Sequence, residues 1–209
     1  MVLDKATIDS FAANPQIKDV SPMVNFAALV TYEGLTGNAS IQGMKPSYFL
    51  YTGLKADVGE LFTDKSATDD SEKVLVTTGL LNLFGVLSPA EAVGKTITFR
   101  VFVPIPGTDQ TTEVDIQKKY TIKGVTSDQS SLGANMTLDE FQSHLDVPFY
   151  ERVQVRVKDG KFLASVQDEI LSKGFTVTAL SKTVEQANKI FQASRLFSQC
   201  LAADRKSVV

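Results

Sequence analysis

The stretch from Arg152 to Gly174 constrains the fold more than any other part of the chain. Val153, Val155 and Val157 alternate strictly with Arg152, Gln154, Arg156 and Lys158. Successive side chains leave a pleated strand on opposite sides, so this is the pattern of a strand with one buried and one wet face. Asp159-Gly160 turns the chain. Phe162, Leu163, Val166, Ile170 and Leu171 then mark one face of a helix, Gly174 supplies its stop, and Phe175, Val177 and Ala179 begin a further strand. A β-α-β unit is the expectation.

The N-terminal end reads as a related piece. Leu3 to Ala13 has the pattern of a short helix with Leu3, Ile8 and Phe11 apolar, and Asn14-Pro15 stops it. Val20 and the run Val24 to Tyr32 carry strand-forming weight, Gly34 and Gly37-Asn38 are turn signals, and Ala39 to Met44 returns as a hairpin partner. A helix followed by a strand is the same unit without its first strand, which is expected upstream of Leu3. The fold class this implies is α+β, a layer built from both ends and split by roughly a hundred residues of different texture.

Within those residues, Lys45-Pro46-Ser47 marks the change, followed by the aromatic cluster Tyr48 to Tyr51 with Leu54, then Gly59-Glu60-Leu61-Phe62. Val74 to Val76 is a short buried strand, and Leu80, Leu81, Phe84 and Leu87 recur at helical spacing. Ser88-Pro89-Ala90-Glu91 predicts a capped helical turn ending at Gly94. Ile97, Phe99, Val101 and Val103 alternate with polar or outward positions and face Val114, Ile116, Tyr120 and Ile122 across a long, proline-bearing tip, Pro104 to Thr112. Gly124 to Asn135 reads as a loop, and Thr137-Leu138-Asp139-Glu140 as a second capping box opening a helix through Phe141 and Leu145. Val184 to Leu201 is helical in pattern, with Val184, Ala187, Ile190 and Phe191 on one face.

Several function classes fall away on composition. Of 209 residues, 43% are hydrophobic and 22% charged, which suits a chain that buries a sizeable core. A net charge of -3 provides no broad positive field for phosphates, so nucleic acid is not an expected partner. Cys200 is the single cysteine, which excludes an intramolecular disulfide and a cysteine cage for metal. No run reaches the roughly 18 apolar residues a membrane helix needs, and the start Met-Val-Leu-Asp lacks the basic and apolar regions of a signal peptide.

Chemistry-bearing patterns are weak. Gly94-Lys95-Thr96 resembles the end of a phosphate loop, but Pro89 stands where its first glycine belongs, and a helix precedes a strand where the reverse order is needed. His144 is the only histidine, has no nucleophile elbow to serve, and sits among polar neighbours as an exposed residue. Asp64, Asp69, Asp70 and Glu72 lie in a polar loop without the glycine of a calcium loop, so solvated surface is the expectation. No catalytic, cofactor-binding or metal-ligating residue is predicted. The candidate contacts for cargo or a partner are Ile105 and Pro106 in the apolar tip Val103 to Gly107, and Phe149 and Tyr150 in the cluster that begins at Val147, with closure of the core as their competing role.

From Leu3 to Phe191 the sequence resembles the extracytoplasmic core domain of MacB-like ABC transporter permeases, a group with LolC/LolE and FtsX relatives. The resemblance is carried by Ile17-Lys18-Asp19-Val20-Ser21-Pro22, Gly43-Met44-Lys45-Pro46-Ser47-Tyr48-Phe49 and Gly59-Glu60-Leu61-Phe62, then by Val74-Leu75-Val76 and Gly94-Lys95-Thr96-Ile97, and last by Tyr120 to Val125, Val153 to Val157 and Gly174 to Val177. It implies a porter-like split β-α-β subdomain at residues 1–45 and 150–182, and an inserted mixed α/β subdomain at 46–149. Residues 183–209 would then be a helix leading toward a membrane span, with an irregular tail. It also implies a non-catalytic module at the extracytoplasmic face of a bacterial membrane, a second permease copy, and ATP hydrolysis on a separate cytoplasmic subunit reached through membrane helices. Cargo or an outer partner would be bound, and no cofactor is implied. The competing expectation is a stand-alone cell-surface binding module.

Overall fold

The computed structural model describes residues 2–52, 54–63 and 70–178. Helix α1 (Lys5–Ala12) starts where the Asp4 carboxylate accepts hydrogen bonds from the N–H and the hydroxyl of Thr7, at 2.8 and 2.7 Å, satisfying donors that the first turn leaves free. Strand β1 (Ile17–Tyr32) follows, 16 residues long, which at about 3.3 Å per residue is a span of about 50 Å. It reverses at Glu33-Gly34, both left-handed with φ of 46° and 83°, the geometry that suits the twist of a two-residue hairpin. Strand β2 (Leu35–Met44) returns along it. Gly37-Asn38, expected as the turn, instead lies inside β2 opposite Val30 and Leu29. A Cβ at Gly37 would stand 2.7 Å from Cδ2 of the half-exposed Leu83, a side chain free to shift.

The remaining elements are α2 (Pro46–Thr52), β3 (Ala56–Gly59), β4 (Lys73–Thr77), α3 (Thr78–Leu83), β5 (Thr96–Pro104), β6 (Thr111–Thr126), β7 (Gly133–Thr137), α4 (Leu138–His144), β8 (Arg152–Val157) and α5 (Leu163–Ser172). The architecture is α+β with a dominant sheet of 8 strands. Six of them close on themselves: β1 pairs β2, β2 runs parallel to β7, β7 pairs β4, β4 runs parallel to β6, β6 pairs β5, and β5 returns to β1. Closure leaves those strands no open edge where they pair on both sides. β8 lies beside the first half of β1, Ile17 to Met23, and β3 beside the end of β6.

The buried face of the ring is filled by Phe26, Val30, Ile41, Phe99, Val101 and Tyr120, with Phe141 of α4 set 5.5 Å from the Phe26 ring. Gly43 makes room for it, because a Cβ there would stand 2.6 Å from Phe141 Cγ. A second cluster, Met23, Met44, Phe49, Phe62 and Leu75, packs on the opposite face, which the alternation of Met23 with Val24 requires.

Several sequence expectations give way to tertiary context. The loop predicted over Gly124 to Asn135 is shorter, because β6 runs on to Thr126 and β7 begins at Gly133. Gly133 to Thr137 has little intrinsic strand preference, yet all of it is buried, and the Gly133 N–H donates to Thr77 Oγ1 at 3.1 Å. The helical stripe expected to reach Leu87 stops at Leu83. Gly85, with φ of 75°, and Val86 donate to Asn82 and Leu81 at 3.0 Å each, leaving Leu87 90% exposed. Ser88 makes no side-chain cap, and Pro89–Glu91 is a single 3₁₀ turn.

The chain divides into two compact units, the second beginning at Leu163. In it, Val166 and Ile170 of α5 are buried while Leu171 stays 45% exposed. Gly174, at φ 83°, ends the helix as predicted, with its N–H on Leu171 O at 2.8 Å and that of Phe175 on Ile170 O at 3.3 Å. The strand expected from Phe175 is not formed over Phe175 to Thr178. Ala179, the Val184 to Leu201 helix and Cys200 lie outside the described residues, as do Asp64 and Asp69.

Candidate functional site

The β5–β6 hairpin places a continuous run of side chains in solvent. Val103 is buried, Ile105 is 37% exposed, and every residue from Ile105 to Glu113 is exposed. Its tip is stiff. Thr108 N–H donates to Ile105 O at 3.2 Å across Pro106 and Gly107, and Gly107 has φ of 75°, which defines a type II turn with proline and glycine at the positions that favour it. The Ile105 N–H donates to Gln110 O at 2.9 Å, and Thr108 Oγ1 donates to Ile105 O at 3.0 Å. Ile105 and Pro106 are thus presented on a turn that its own hydrogen bonds hold.

Phe149 and Tyr150 precede β8. Phe149 is half-buried; Tyr150 is 8% exposed, accepts from Gln142 Nε2 at 3.0 Å through its hydroxyl, and donates its N–H to Leu3 O at 2.7 Å. The sheet register brings the two candidate clusters toward one place. Phe102 pairs with Ala27 and Arg152 with Met23, so the end of β5 and the start of β8 meet the same edge of β1 about 13 Å apart. Neither cluster has a sequence link to the other; only the shared strand joins them.

The weaker chemical candidates are occupied structurally. Lys95 lies 2.8 Å from Glu33 Oε1, whose hydrogen bond holds the ammonium above its ordinary pKa, and Gly94 N–H donates to Ile122 O at 2.9 Å. His144 is partly buried, correcting the exposed position expected, because its Nε2 lies 3.0 Å from Glu140 Oε1. The same oxygen accepts from the Tyr120 hydroxyl at 3.0 Å. Burial first, and the Glu140 charge second, push the Tyr120 phenol far above its usual range. Glu140 therefore does not close its capping box by reaching back, although Thr137 Oγ1 does accept from Glu140 N–H at 3.4 Å.

Asp70, expected in a solvated loop, is fully buried, with Lys123 Nζ 2.6 Å from its Oδ1 and 5.7 Å from the Phe62 ring centroid. A carboxylate at that depth requires such a partner. Sequence reading missed this pair because its members are 53 positions apart. It missed likewise the chain from Ser21 through Ser47 to Asp19, at 2.9 and 3.2 Å, that ties α2 to β1. Among the described residues, no group of three or more His, Cys, Asp or Glu side chains is placed to hold a metal, and no helix is long and apolar enough to cross a membrane.

The described residues thus form a closed mixed sheet with an exposed hairpin, and the polar candidates are largely committed to structure. Residues 2–173 match the family model described as the MacB-like periplasmic core domain, and the chain belongs to that family. It is similar to the macrolide export ATP-binding/permease protein MacB of Neisseria gonorrhoeae and of Neisseria meningitidis serogroup A, 27% identical over 100 residues. That match covers 48% of this chain and 15% of the relatives' own length. The fold is shared with the periplasmic region of MacB from Actinobacillus actinomycetemcomitans, at TM-score 0.61, 16% identity, and coverage of 90% of this chain and 83% of that one. It is shared also with the extracellular domain of the noncanonic ABC-type transporter YknZ from Gram-positive bacteria, at TM-score 0.59, 14% identity and 78% coverage of each chain. The chain is thus an extracytoplasmic domain of a MacB-like ABC transporter permease.

Proposed function

We propose that this domain binds cargo or an outer partner and delivers to it movement driven by ATP hydrolysis on a separate cytoplasmic subunit, with no catalysis of its own. In this reading residues 1–45 and 150–182 form the porter-like body and 46–149 the inserted subdomain, with β1 and β2 continuing from the first into the strand ring of the second, and 183–209 lead toward a membrane span. Two permease copies work together. Ile105 and Pro106 make the contact, and Phe149 adds to it with Tyr150 packed behind.

The observation that carries the reading is the continuity of β1. Its first half hydrogen-bonds β8 and its second half hydrogen-bonds β5, so a displacement of the β8 end reaches the root of the exposed hairpin along one unbroken strand. A two-state element biased from both ends is what such coupling needs. The test uses the full-length permease with a spin label at Thr108→Cys in each copy. The distance between labels should change between the nucleotide-free and ATP-trapped states; an unchanged distance overturns motion transfer. Ile105→Ser with Pro106→Ser should abolish transport while leaving ATP hydrolysis measurable, whereas hydrolysis of an ester or nucleotide by the purified domain that His144→Ala removes would sink the non-catalytic reading.

A further inference from the structure

We infer that the outer face of the β5–β6 hairpin docks an extended polypeptide whose apolar side chain is flanked by lysine or arginine. This rests on the hairpin tip being a contact site, and adds the chemistry of what it contacts. The register sets Phe102 opposite Glu113 and Arg100 opposite Asp115, so these four side chains share one face, and the tip adds Ile105, Pro106 and Asp109.

Acidic side chains predominate on that surface, Asp109, Glu113 and Asp115 against Arg100, with Lys119 the next outward cation along β6. From Val101 to Gln117 the sequence holds Asp109, Glu113 and Asp115 and no lysine or arginine. Arg100, at the root, is committed to Glu113, with Nε 3.1 Å from Oε1. Among the described residues neither the Asp109 nor the Asp115 carboxylate has an ion-pair or hydrogen-bond partner. The neighbouring strand β1 contributes only Ala27, Leu29 and Thr31 to this face, without charge, and at the start of β8 Arg152 lies 3.6 Å from Glu151. Two carboxylates left open beside an apolar, preorganised turn match a ligand that brings one hydrophobic side chain between basic ones. They repel an anionic lipid surface and an acidic peptide.

The test is an NMR titration of the isotopically labelled 209-residue chain with a capped peptide of alternating lysine and leucine, and with its glutamate–leucine counterpart. The basic peptide should shift amide signals from Phe102 to Asp115. Exposed ion pairs are each worth a few-fold, so Asp109→Asn with Asp115→Asn should weaken binding about tenfold. Asp57→Asn, on β3, should leave it unchanged. Equal binding of the acidic peptide at the same residues overturns the charge preference while leaving the tip a contact site. No shift at the hairpin with the basic peptide, or shifts elsewhere only, overturns the inference. The transport phenotype of Ile105→Ser in the full-length permease then judges the contact reading separately.

Discussion

The two long hairpins use the same antiparallel pairing and end in opposite ways. β1–β2 turns in two residues, Glu33 and Gly34, and is tied sideways by Lys95 at 2.8 Å. Beside it the Phe84 ring stands 5.8 Å from that of Tyr32. β5–β6 turns through Ile105 to Gln110, bonded to itself and leaving its apolar residues in solvent. A reversal that serves only the sheet is short and braced; one that serves a surface is longer, internally stiffened and unbraced. The lesson is that rigidity is present at both ends, and what differs is whether other elements consume the side chains.

The largest effect is expected at the open end of β1–β2, where Phe141 sits against Gly43. Phe141→Ala removes a fully buried ring from beneath β1–β2 and should cost about 3–5 kcal/mol in urea unfolding. A loss below about 1 kcal/mol would mean that the hairpin is held by pairing alone.

The root of β5–β6 is sharpened by Tyr120, which is buried edge-on to Phe99 at 5.5 Å and bonded to Glu140. Tyr120→Phe should cost about 2 kcal/mol near neutral pH, as for a buried hydrogen bond to a charged group. Since the folded phenol is held above its ordinary range, chiefly by burial and then by Glu140, the unfolded chain releases that proton first, at about pH 10. The stabilisation is therefore complete below about pH 10 and fades as pH rises further. Unfolding at pH 8 and 11 should show the wild-type advantage over the variant shrinking at the higher value; a constant difference would mean that the phenol titrates normally.

How far the sequence reveals this contrast depends on whether a feature is local. The long β5–β6 tip, with Pro106 and Gly107, is legible because alternating strands and turn residues speak for themselves. So are the α4 cap at Thr137 and the α5 stop at Gly174. β7 is illegible, since Gly133-Ala134-Asn135-Met136-Thr137 becomes a strand only when β2 and β4 flank it. Gly37 misleads for the same reason: pairing opposite Val30 keeps it in β2 and not in a turn. Asp70 looks like surface until Lys123 arrives from 53 positions away. Ring closure itself needs β5 to return to β1, which no local pattern encodes.

The smallest effect tests the comparison most closely, because it makes the same change at both turns. Gly34 and Gly107 have φ of 83° and 75°, and a Cβ at either meets nothing within 4 Å. Alanine at each should therefore cost only the left-handed backbone penalty, about 1 kcal/mol. Equal losses on unfolding, with basic-peptide binding weakened only by Gly107→Ala, would separate a turn that merely reverses the chain from one that displays it. If Gly107→Ala costs nothing, the tip is not fixed in its type II turn, and its apolar residues meet a partner by adapting to it instead of by being held ready.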